Sequence, residues 1–93
     1  MITLAVVIPC YNEERVVEAT CLALLTVLRR LQRRGTVSTA SRLYFIDDGS
    51  TDATWTLIES FSAHGLPVVG IKLSRNSGHQ NALLAGLFSA EGD

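Results

Sequence analysis

The sequence predicts a three-layer α/β fold with a parallel sheet and the element order β-α-β-α-β-α. Three observations predict it: apolar runs that each end in a polar turn, intervening segments with apolar residues at helical spacing, and short connections between them. Alternation of this kind is typical of parallel sheets with right-handed crossovers. At 93 residues, the chain has the size of one small domain.

The first strand and the first helix are expected between residues 2 and 34. Ile2–Pro9 is a continuous apolar run, as in a strand that is buried on both faces and ends at its proline. Asn12 is the expected N-cap of the helix, and the two glutamates after it complement the helix dipole. Apolar residues then recur at three- and four-residue spacing up to Leu31, and Gly35 stops the helix.

The second half of the chain continues the alternation. Leu57, Ile58 and Phe61 form the expected inward face of the second helix, with Trp55 on its flank. A stripe of small residues lets the third helix lie close to the sheet. The expected elements are a strand at Leu43–Ile46, a helix capped by Ser50 or Thr51 and ended by Gly65 and Pro67, a strand at Val68–Leu73, and a helix from about His79 to Ala90.

Bulk properties exclude several classes of function. The net charge of −1 gives no electrostatic case for nucleic acid. Cys10 and Cys21 lack metal-ligand spacing with each other and with the histidines, and indicate free thiols in the reducing cytoplasm. The apolar runs are too short for a membrane span, and no basic segment precedes the first one as in a signal peptide.

The ends of the first two strands carry the residues of most chemical interest. Asp47 and Asp48 stand where the second strand meets a Gly-Ser turn, and Tyr11 and Glu13 follow the first strand. In open α/β sheets, ligands bind at the carboxyl ends of the strands. Carboxylates there can accept from a base N–H or from ribose hydroxyls, and an aromatic ring can stack on a base. The alternative is that these residues only shape turns and cap helices.

A third polar loop follows the third strand. Arg75 is a natural phosphate partner through its fork of donors, and the next helix would add backbone N–H groups. The alternative is an ordinary capped turn. Neither a P-loop nor a G-x-G-x-x-G fingerprint is present, so a bound nucleotide would have to be held by other groups.

Four arginines cluster at the end of the first helix. They most simply form a solvated helix end that complements the helix dipole. Contact with a membrane surface is the alternative interpretation. The four residues are Arg29, Arg30, Arg33 and Arg34.

The three loops together resemble those of family 2 glycosyltransferases of the GT-A fold, whose nucleotide-binding half is a Rossmann-like sheet. The branch of this family that the chain most resembles transfers sugars to polyprenyl or dolichyl phosphates. The resemblance covers essentially the whole chain. The segments that carry it are Val7–Glu14, Ile46–Asp52 and Leu73–Gln80, the last with Ala82 and Gly86.

The resemblance implies an enzyme that takes a UDP- or GDP-sugar as donor and, with inversion, glycosylates an acceptor such as a polyprenyl phosphate. It also implies a place in cell-envelope synthesis, at the cytoplasmic side of the plasma membrane. Residue by residue, it places one set of side chains at the donor. That set is Pro9, Tyr11, Glu13, Asp47 and Asp48, with Arg75, Asn76 and Gly78 nearby.

The family's metal-binding D-x-D motif, catalytic base and acceptor site are not found in these residues. Residues 1–93 are therefore expected to be the N-terminal, donor-binding part of a longer enzyme, inactive alone, with Mg²⁺ or Mn²⁺ held by ligands elsewhere. Two other functions stay open: a non-catalytic interaction domain and a receiver-type phosphoacceptor. The receiver is disfavoured because Leu73 stands where it needs an aspartate. An exposed sheet edge could also favour a homo-oligomer.

Overall fold

A computed structural model of the chain describes residues 1–73 and the backbone of residues 86–91. The first three strands and both helices appear in the predicted order. Their bounds differ from the prediction by a few residues, as is usual at element ends. The elements are β1 (Ile2–Cys10), α1 (Val17–Arg33), β2 (Arg42–Asp47), α2 (Thr54–Ala63), β3 (Val68–Lys72) and β4 (Gly86–Glu91).

The four strands form one sheet in the order β3-β2-β1-β4. β2 pairs in parallel with both β1 and β3, so the three carboxyl ends meet at one edge. Cys10 lies opposite Asp47, and Asp47 lies opposite Lys72. The predicted parallel, Rossmann-like α/β arrangement is thus confirmed.

The predicted third helix is wrong in its last part. Residues 86–91 form β4, which runs antiparallel to β1, while residues 79–85 lie outside the described residues. β1 has a second edge whose N–H and C=O groups need partners, and a strand there satisfies them. A short apolar run has no periodicity that separates helix from strand, so the sequence misled the assignment.

Both helices pack on the same face of the sheet. Leu43 and Phe45 point to that face and are fully buried. The Phe45 ring meets that of Phe61 from α2, with centroids 5.8 Å apart. From α1, the same core receives residues at the predicted helical spacing. They are Val17, Cys21, Leu25 and Leu28.

Helix α1 starts later than the sequence predicts. Asn12 is not an N-cap: it has a left-handed φ of 50°, and its side chain serves another loop. The two glutamates precede the helix, where the Glu13 carbonyl accepts from the N–H groups of Val16 and Val17. Contacts between loops therefore prevail here over the local capping pattern.

Gly70 is the point of closest approach between β3 and α2. A Cβ on this residue would lie 2.8 Å from Cγ2 of Ile58 and 3.2 Å from the Trp55 ring. We expect Gly70→Ala to lower the free energy of unfolding by about 1–3 kcal/mol, measured by urea denaturation. In an Ile58→Ala background the methyl group has room, so the cost should largely vanish; an undiminished cost would contradict this packing.

Within the described residues, no helix has the length and apolarity required to cross a membrane.

Candidate functional site

A small cavity opens at the carboxyl end of β1, beside the end of β2. Its volume is about 220 Å³. The Tyr11 ring is half exposed at its rim, and Glu13 is exposed beside it. The cavity is therefore open to a ligand from solvent while its floor is formed by the strand ends. Its lining residues are Pro9, Cys10, Tyr11, Glu13 and Asp48.

The side chain of Asp48 is the feature of the cavity that most clearly indicates a binding site. Its Oδ1 is buried and has no hydrogen-bond partner among the described residues. A buried acceptor without a partner costs about 1–3 kcal/mol, so it marks a place where a donor is missing. The backbone N–H of Asp48 donates to the Cys10 carbonyl over 2.9 Å. This hydrogen bond holds Asp48 at the carboxyl ends of β1 and β2.

Asp47 faces the other way and does not line the cavity. Its side chain is fully buried, and both of its carboxylate oxygens accept from Ser50. The Ser50 hydroxyl in turn accepts from the Asn12 N–H over 2.8 Å. Asp47 thus tightens the turn after β2 and, through Ser50, ties it to the loop after β1.

A second set of hydrogen bonds joins the same two loops. The Glu13 N–H donates to Oγ1 of the buried Thr54 over 2.8 Å, and that hydroxyl donates to Asp52. Asp52 also accepts from the Glu14 N–H, while the Glu14 carboxylate accepts from the Ala53 N–H. We call the loops 10–14 and 47–54 together the loop clamp.

The hydrogen bonds of the loop clamp act on the ionisation of Asp52. Partial burial opposes ionisation of this carboxylate. Hydrogen bonds from the Thr54 hydroxyl and from the N–H groups of Thr54 and Glu14 outweigh it and lower the pKa of Asp52. The clamp therefore favours the ionised carboxylate and weakens as the pH falls through that lowered pKa.

Cys10 makes the cavity wall sensitive to alkali. Burial, and then the charges of Glu13 and Asp47, raise the pKa of the Cys10 thiol from 9.0 to about 12. The folded state keeps the proton in that range while the unfolded state loses it. The free energy of unfolding should therefore fall as the pH rises above about 9, by up to ~1.4 kcal/mol per pH unit for each such thiol.

Urea denaturation at several alkaline pH values measures this slope. Cys21, whose pKa is also raised by burial, adds its own contribution. Cys10→Ala should therefore lower the slope without abolishing it. Identical slopes for the parent and the variant would contradict a buried, protonated Cys10.

The described residues do not offer a metal site. No three of their His, Cys, Asp and Glu side chains come together as a set of ligands. Asp48 and Glu13 share one cavity, but Asp47 is turned away into its bonds with Ser50. These residues do not fit a divalent metal. A metal ion that is bound by ligands outside the described residues stays a prediction.

Comparison with known proteins decides the family. The model for "Glycosyl transferase family 2" matches residues 5–93. The chain belongs to this glycosyltransferase family. The match includes both halves of the loop clamp, all of β2 and most of β1.

Similar proteins of this family carry glycosyltransferase or sugar-transferase names. An uncharacterized glycosyltransferase of Bacillus subtilis, YkoT, is 44% identical over 95% of the chain and 26% of its own length. The undecaprenyl-phosphate 4-deoxy-4-formamido-L-arabinose transferases of Shewanella sediminis and Aeromonas hydrophila are 40% and 37% identical over 96% of the chain, and 25% and 26% of their own lengths. The chain spans about a quarter of the length of these relatives. No solved structure gives a significant match.

The structure brings together four of the eight residues expected at the donor. Pro9, Tyr11, Glu13 and Asp48 surround the cavity. Asp47 lies behind it in the loop clamp. Arg75, Asn76 and Gly78 lie outside the described residues. What these eight side chains bind stays a prediction.

Sequence reasoning missed how the clamp is built. Ser50 was expected only as one of two possible caps of the second helix, and Thr54 was not singled out. The turn after β2 is rich in hydroxyl and carboxylate residues, and this composition indicates a dense network of hydrogen bonds. Nothing in one sequence says that their partners lie about forty positions earlier, in the loop after β1.

Proposed function

We propose that this chain supplies the donor-nucleotide site of a family 2 glycosyltransferase. The single observation that carries the proposal is Oδ1 of Asp48, which is buried in an open cavity at the strand ends and has no hydrogen-bond partner within residues 1–73. A uracil or guanine ring has an N–H that can donate to such an acceptor, and neither has to be deprotonated to do so.

The other lining residues suit the rest of a nucleoside. The half-exposed Tyr11 ring can stack on the flat base. Glu13 is exposed at the rim, where its carboxylate can accept from ribose hydroxyls. The loop clamp holds the Glu13 backbone in place before the ligand arrives, which reduces the ordering cost of binding.

We further propose that the sugar is transferred with inversion to a polyprenyl phosphate. The support is the relatives from Shewanella and Aeromonas, whose names describe sugar transferases that act on undecaprenyl phosphate. The described residues contribute no catalytic base to this reaction in the proposal. Their work is to bind and orient the donor.

Titration calorimetry of the chain with UDP and with GDP, each with and without Mn²⁺, tests the donor site. Binding of one nucleotide, competed by the matching nucleotide-sugar, is the expected result. Failure of both nucleotides to bind in either condition would contradict the proposal. Preference for one nucleotide would identify the base.

Stable labelling by acetyl phosphate would instead revive the receiver-type function. No observation on the described residues favours that function or a non-catalytic interaction domain.

A further inference from the structure

The outward face of α1 is unusually apolar up to Val27, which we call its apolar half. Val16, just before the helix, is 49% exposed, Leu22 is 57% exposed and Val27 is 49% exposed. The positions between them on that face, Ala19 and Ala23, are small and also exposed. Exposed apolar side chains that lie together on a helix face are typical of an interaction surface, so this half is suited to contact with an apolar environment.

The second half of the same face is strongly cationic. Four arginines are exposed there, and α1 contains one carboxylate, Glu18, in its first turn. From Ala19 to Ile46 the sequence has no acidic residue at all. One or two cations in the last turn are enough to complement a helix dipole. The arginines are Arg29, Arg30, Arg33 and Arg34.

Both halves lie on one broad outward face of the helix, opposite the buried row. At 3.6 residues per turn, Leu22, Arg29 and Arg33 fall on one flank of this face, and Val27, Arg30 and Arg34 fall on the other. This face runs along the 17-residue helix, which is about 25 Å long. We call it the α1 stripe, from Val16 to Arg34.

We propose that the α1 stripe docks on an anionic lipid bilayer. Its apolar half enters the headgroup boundary, and its arginines bind lipid phosphates. Arginine side chains can lay their stems along the interface while the guanidinium groups reach the phosphates. Charge complementarity and the adjoining apolar half together favour a bilayer over a nucleic acid, which would use the arginines only.

Docking of this kind has a consequence for the cavity. Loop 10–14 leads directly into α1, so a helix lying in the membrane plane keeps the cavity close to the bilayer surface. A lipid-linked phosphate acceptor would then meet the donor without leaving the membrane. This consequence rests on the proposed function, whereas the docking itself does not.

Co-sedimentation of the 93-residue chain with vesicles tests the docking. Vesicles of equimolar phosphatidylglycerol and phosphatidylcholine should bind the chain in a salt-sensitive manner, and pure phosphatidylcholine should not. Arg33→Gln with Arg34→Gln should weaken binding about 30-fold, at about fivefold for each arginine near an anionic surface. Leu22→Gln should weaken it about tenfold through lost apolar contact.

The matched control removes two charges elsewhere. Arg42→Gln with Lys72→Gln changes the net charge equally but leaves the α1 stripe intact, so vesicle binding should stay within about fivefold of the parent chain. Circular dichroism checks that each variant is folded. Equal binding to both vesicle types would overturn the proposal. So would equal losses in the stripe and control variants, or binding to RNA with none to vesicles. No nucleotide is present, so the result is independent of the donor site.

Discussion

Replacing Asp48 by alanine is expected to weaken nucleotide binding roughly 10- to 150-fold, the effect of losing one hydrogen bond to a charged group. Within the part of the chain that the structure describes, Oδ1 of Asp48 is buried without a partner, so the same change should not lower the free energy of unfolding. Loss of affinity without loss of stability is the signature of a ligand-binding side chain. Calorimetric titration with UDP and GDP, beside urea denaturation, measures both.

Two control variants make the Asp48 result specific. Glu59→Ala removes an exposed carboxylate from α2 and should leave the affinity unchanged. Asp48→Asn keeps the shape and one acceptor oxygen but removes the charge, so its affinity should lie between those of the parent chain and the alanine variant. If Asp48→Ala binds the nucleotide as tightly as the parent chain does, Asp48 is not part of the nucleotide-binding site.

Replacing Thr54 by valine is expected to cost about 1–3 kcal/mol of unfolding free energy, because the part-buried Glu13 N–H loses its acceptor and the Asp52 carboxylate loses a donor. Thr54 is fully buried, and its hydroxyl lies between the Glu13 N–H and Asp52. Valine keeps the volume, so the loss reports the hydroxyl. Nucleotide affinity should fall as well, since the loop that carries Tyr11 and Glu13 is no longer held.

Thr26→Val is the matched control for Thr54→Val. The Thr26 hydroxyl donates to the Leu22 carbonyl within α1, in an exposed position far from the cavity. Its loss should change stability by less than about 0.5 kcal/mol, as for most surface substitutions. Urea denaturation of both variants provides the comparison. Equal, small effects would mean that the loop clamp does not hold the two loops together.

The strands and the place of the site follow from the sequence because both depend on strong patterns. Ile2–Pro9 and Leu43–Ile46 are apolar runs with no competing helical spacing, and each ends in polar residues. Their parallel pairing puts those ends at one edge, which brought Tyr11, Glu13 and Asp48 together as predicted.

The sequence could not predict which of two adjacent aspartates faces the cavity. Side chains alternate along a strand, so Asp47 follows Phe45 toward the helices and Asp48 turns out of the strand. A one-residue error in the strand end exchanges the two roles. The N-cap at Asn12 failed for a related reason, because its amide oxygen accepts from the distant Thr51 N–H.

The family match confirms the resemblance from which the activity was predicted, and the described residues add the geometry that a motif lacks. Asp47 lies behind the cavity, where it accepts from Ser50 and so holds the turn after β2 against the loop after β1. The β4 strand shows where pattern reasoning fails, since the unpaired edge of β1 decided the conformation of residues 86–91.

Backbone amide shifts in ¹H–¹⁵N NMR spectra during titration with UDP and GDP test the central claim most directly. The account predicts that one nucleotide shifts Tyr11, Glu13 and Asp48 together, in a saturable manner. The chain has a larger groove of about 360 Å³ between α2 and β3, lined in part by Trp55 and Gly70. Shifts confined to that groove, or no shifts with either nucleotide, would contradict a donor site at the ends of β1 and β2.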